Sequence, residues 1–135
     1  MNPKRATFLN LDMELDSGTD LAPLGEHLAK SGHILFNGRV KRAYRLCVEP
    51  VFRGKFISTP SACTVHFLDV LEQMPAKLRK MFRECKRRVF DYGFDGGLES
   101  PPLSAALENE HLARMAKLGI EVRITVYPYR KASDA

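Results

Sequence analysis

At 135 residues and 15.3 kDa the chain has the size of one domain, which allows a single hydrophobic core and excludes a second. With 44% hydrophobic and 27% charged residues, 9 Gly and 8 Pro, its composition is globular, which excludes disordered, collagen-like and disulfide-scaffold classes. The formal net charge of +5 hides an uneven map: residues 39–88 hold 13 Lys/Arg against 4 acids, a balance of +9, and the remainder carries −4.

From Thr7 to Asp16 apolar and polar residues alternate, with Leu9, Leu11, Met13 and Leu15 opposed to Asn10, Asp12, Glu14 and Asp16, which predicts a half-buried first strand. Thr19 or Asp20 is placed to cap a short helix over Leu21, Leu24 and Leu28, with Pro23 in its first turn and Gly32 at its end. A strand over His33–Phe36, the turn signal Asn37-Gly38 and an alternating run from Val40 to Val48 predict a hairpin. Pro50 to Thr59 reads as a connection with a basic tip, Arg53-Gly54-Lys55, between Phe52 and Phe56.

Pro60 and Ser61 start a helix carrying Val65, Leu68, Leu71 and Met74, and Pro75 interrupts it and opens another. In the second helix Leu78, Met81, Phe82, Cys85 and Val89 form a narrow apolar stripe, leaving Lys77, Arg79, Lys80, Arg83, Lys86 and Arg87 on the remaining surface. Strands over Arg88–Phe94 and Leu103–Leu107 follow, then a helix capped by Asn109 and closed by Gly119. Alternation from Ile120 to Val126 predicts a last strand that Pro128 terminates, and the tail after about residue 130 is expected to fray.

The order β-α-β-β-α(α)-β-β-α-β over a single domain, residues 1–135, predicts an α+β fold, a mixed and mostly antiparallel sheet of about five to six strands with helices packed on one face. The polar side of the first strand implies that the other sheet face is solvated or covered by a partner.

Catalytic and metal signatures are missing from the chain. Cys47, Cys63 and Cys85 form no Cys-x-x-Cys pair and lie among apolar neighbours, as buried thiols do, and His66 with Asp69 supplies only two ligand types on one helix. Gly93-Phe94-Asp95-Gly96 has the spacing of an RNA-binding Gly-x-x-Gly loop but follows a strand and puts an acid where a phosphate would sit. Asp91 and Asp95 stand about 13 Å apart on an extended strand, too far to act as a carboxylate pair, and Asp12 with Glu14 reads as an exposed polar edge. Tyr127 and Tyr129 suit packing or an interface better than catalysis. The expectation is a non-enzymatic protein with no cofactor and no metal.

Phe8–Leu15 with Asp20–Leu24, then Arg88–Phe94, and last Leu112–Gly119 running into Ile120–Tyr127, resemble a family of small uncharacterised bacterial α+β proteins. The shared feature is a closing helix, a Leu-Gly turn and an alternating strand that ends in Tyr. The resemblance implies the fold and a bacterial origin, and it implies no activity.

The basic middle therefore carries the functional expectation. Lys77, Arg79, Lys80, Arg83, Lys86 and Arg87, with Arg53 and Lys55 as a second lobe, form the expected contact surface of an interaction protein. The expected partner is an acidic protein, in an immunity- or inhibitor-like role, and the alternative is nucleic acid bound through its phosphates without sequence specificity. No apolar run is long enough for a membrane span and the amino-terminal residues lead into a strand, so the expected location is the cytoplasm with no membrane contact. An exposed final strand would favour a homodimer through that edge.

Overall fold

The computed structural model describes residues 5–99 and 101–129; the tail expected to fray lies outside them. A central strand, β1 (Thr7–Ser17), is flanked by β3 (Ala43–Phe52) and β5 (Arg87–Asp95), with β2 (Gly32–Val40) and β6 (Glu121–Tyr127) at the edges. The sheet order is β2-β3-β1-β5-β6; every pairing is antiparallel except β5 with β6, and a two-residue β4 (Lys55–Phe56) folds back on β3. This is the α+β architecture with a mixed, mostly antiparallel sheet that the hydrophobic periodicities predict.

The period-two pattern of β1 works as expected: Leu11, Met13 and Leu15 are fully buried on one face. That face receives α2 (Pro60–Gln73), whose Phe67 ring lies 5.6 Å from Phe90 of β5 and whose Thr64 hydroxyl meets the Tyr92 hydroxyl at 2.5 Å. α1 (Ala22–Leu28) buries Leu24 and Leu28 into the same core, α3 (Ala76–Arg83) buries Phe82, and α4 (Asn109–Lys117) buries Met115. Thr59 caps α2 by accepting from the Ala62 amide at 3.2 Å, and Met74, extended with ψ of 150° before Pro75, ends it.

Several boundaries depart from the sequence expectation. Asn37-Gly38 is not the hairpin turn: both lie inside β2, opposite Leu46 and Arg45, and the chain reverses at Lys41-Arg42 with Lys41 at φ 56°. Extending β2 to Val40 gains ladder pairs as far as Ala43, and it lets the Asn37 side chain fill the space that the missing Cβ of Gly25 leaves on α1. α3 stops at Arg83, so Lys86 lies in the connection and Arg87 is the first residue of β5. Leu103–Leu107 joins no ladder among the described residues, and Asn109 is the first residue of α4, not its cap. The Gly-x-x-Gly segment belongs to β5 as far as Asp95, and the Gly96 amide just beyond it bonds the Tyr127 carbonyl of β6 at 2.8 Å, with no turn assigned at Gly96-Gly97.

The helix-free face is not an exposed polar edge as expected for Asp12 and Glu14. β1 is the middle strand of five, and its polar side faces the acids and bases of its neighbours. Among the described residues no helix is long and apolar enough to cross a membrane.

Candidate functional site

The cationic surface is built on α3. The helix has one apolar side, where Phe82 is buried and Leu78 and Met81 are half-buried against the core, so Lys77, Arg79, Lys80 and Arg83 are left exposed. Together with exposed Lys86 these cations make no ion pair among the described residues. Lys80 and Arg83 also occupy the last turn, where the helix dipole favours positive charge.

Arg87 does not belong to this surface. It lies on the sheet in register with Asp16 and pairs with Glu121 of β6 at 3.4 Å. Arg53 and Lys55 are not a second lobe of it either. β3 runs away from Ser17 as it leaves Tyr44, whereas the end of α3 is tied to the Ser17 end by the Lys86 amide, 2.7 Å from the Asp16 carbonyl. Nine residues of strand, roughly 30 Å, separate the Arg53 hairpin from that end. There Arg53, with φ of 53°, lies over the Phe52 ring at 5.0 Å.

Beside these exposed cations lies a groove of about 440 Å³ between α2, α3 and α4. Its apolar wall comes from Leu71, Phe82 and Leu118, and Arg79, Arg83 and Lys117 bring cations to it. Arg114, also in the lining, is held by Glu72 (2.7 Å) and Asp69 (2.8 Å), whose hydrogen bonds fix its charge. Asp69 therefore serves Arg114 and not His66, whose Nε2 reaches the Ser31 carbonyl at 2.7 Å. Lys117 was not visible as a site residue because only the packing of α4 on α2 brings it beside α3.

The second feature is the charged helix-free face. Arg45 of β3 bonds Asp16 at 2.8 Å and approaches Glu14 at 3.4 Å, while Arg123 of β6 reaches over β5 to Glu14 at 2.9 Å and approaches Asp91 at 3.4 Å. Among the described residues Asp12 has no arginine partner. Its carboxyl is pushed up to about 6, first by burial and then by the charges of Glu49, Asp91 and Glu14, and the Asn10 amide donates to it at 3.0 Å. Pairing of β1 with β3 spans Met13 to Ser17, and beyond it a cleft of about 480 Å³ opens beside Asp12, Glu49 and Phe56.

Burial pushes the thiols of Cys47, Cys63 and Cys85 up to about 11, which keeps them protonated and poorly nucleophilic. Among the described residues no group of three or more His, Cys, Asp or Glu is placed to hold a metal ion. Comparison of the chain with protein-family models, curated proteins and solved structures finds no match.

Proposed function

We propose that the protein is a non-enzymatic interaction protein that grips an acidic protein partner through the α3 surface and its groove, in an immunity- or inhibitor-like role in a bacterial cytoplasm. The observation that carries this reading is the juxtaposition of Arg79 and Arg83, unpaired among the described residues, with the apolar wall of Leu71, Phe82 and Leu118. A cationic rim speeds encounter with an acidic surface, and an apolar wall adds a desolvated anchor that a phosphate backbone cannot fill.

Nucleic acid is the second reading, favoured by Lys77, Lys80 and Lys86, which are exposed, unpaired among the described residues and outside the groove lining. Replacing Arg79, Lys80, Arg83 and Lys117 together by Glu tests the proposal. None of these side chains is buried, so the fold is expected to survive while binding to an acidic partner is lost. Retained binding by a folded variant refutes the assignment.

A further inference from the structure

We infer that the protein pairs with a second copy of itself along β6, antiparallel and about a two-fold axis at Ile124. Among the described residues β6 has one strand neighbour, β5, and its register with β5 is continuous from Glu121 to Tyr127. The strand carries none of the devices that blunt a sheet edge: no bulge, no proline and no lysine between residues 121 and 127. The opposite edge is different, since β2 is broken by a bulge between Ile34 and Phe36.

The two charges on β6 do not oppose pairing. Glu121 is paired with Arg87, and Arg123 is neutralised by Glu14 and Asp91 on the helix-free face. On the helix side Val122, Ile124 and Val126 remain 47%, 65% and 62% exposed, beside a shallow apolar groove that includes Leu103. Contiguous apolar exposure of this kind on an unprotected edge marks an interface.

The occupant is identified by symmetry. An isologous dimer needs a surface complementary to itself, and Val122-x-Ile124-x-Val126 reads the same about Ile124 in both directions. In that register Val122 meets Val126 of the second copy and Ile124 meets Ile124. Arg123 then faces Thr125 of the second copy, whose hydroxyl donates to the Asp91 carboxylate at 2.8 Å, so each cation approaches an acidic group. The two sheets join into one.

Sedimentation velocity across the micromolar range tests the inference. The expected result is a mass that rises from 15.3 kDa toward twice that value with concentration. Ile124→Lys is expected to remain monomeric throughout with an unchanged circular dichroism spectrum, and Leu35→Lys on the opposite edge to dimerise as the parent does. Ile124→Cys provides a second readout that does not depend on the Lys variant folding: at the axis it forms an oxidised dimer, whereas Val122→Cys alone does not. A monomer at every concentration overturns the inference. So does a dimer that persists in a folded Ile124→Lys variant, or an Ile124→Cys protein that fails to cross-link.

Discussion

The Nη1 atom of Arg88 lies 2.7 Å from the carbonyl oxygen of Cys85, and the same nitrogen donates to the Arg83 carbonyl at 2.9 Å while Nε donates to Gly119 at 3.2 Å. One guanidinium thus satisfies carbonyls at the end of α3 and at the turn before β6, which fixes how the α3 cations project. Arg88→Ala is expected to cost about 2 kcal/mol, because carbonyls lose a charged donor, measured as a lower urea midpoint at unchanged slope. Gly119→Ala is expected to destabilise as well: its φ is +69°, and a Cβ there would sit 2.7 Å from the Arg88 guanidinium.

Thr64 and Tyr92 predict an asymmetric pair of mutants. The Thr64 hydroxyl donates to the Pro60 carbonyl at 2.7 Å, so the Tyr92 hydroxyl is the donor in the bond between them. Tyr92→Phe leaves Thr64 satisfied and is expected to cost about 1 kcal/mol or less. Thr64→Val strands a buried phenol and should cost about 1–3 kcal/mol. Equal losses in thermal unfolding would contradict this hydrogen-bond assignment.

Asp12 predicts a pH dependence. Its folded pKa of about 6 lies above the ordinary 3.8, so the folded state holds the proton more tightly and ionisation weakens the fold as pH rises between these values. Asp12→Asn removes that cost. The variant is expected to be more stable than the parent by on the order of 1 kcal/mol at pH 8, after allowance for the partial exposure of the site, and to match it near pH 4. Unfolding curves at the two pH values check it, and an Asn variant destabilised at pH 8 would show that Asp12 is ionised and favourably held.

Much of the fold was legible because its signals are local. Alternation in β1 and β6 and the prolines at 60 and 75 act within a few residues, and each element formed where they place it. The Lys41-Arg42 turn was hidden because Asn37-Gly38 is the stronger local signal, yet a longer ladder and the fit of Asn37 against Gly25 outweigh it. The loss of Arg87 and of the Arg53 lobe from the contact surface follows from register, which no periodicity reveals. The grouping of Asp12 with Glu49 and Asp91 depends in the same way on which strands become neighbours, and Lys117 on how α4 packs.

The most direct measurement is a fluorescence-anisotropy titration at two salt concentrations with three labelled probes: an acidic peptide bearing Leu and Phe among its Glu residues, a Glu-only peptide of equal charge, and single-stranded DNA of matching charge. The mixed peptide is expected to bind tightest, with binding weakened by salt and abolished in the Arg79→Glu/Arg83→Glu variant, because that probe alone uses both the cations and the apolar wall. Tighter binding to DNA than to either peptide, or no peptide binding at low salt, would contradict an acidic protein partner at α3.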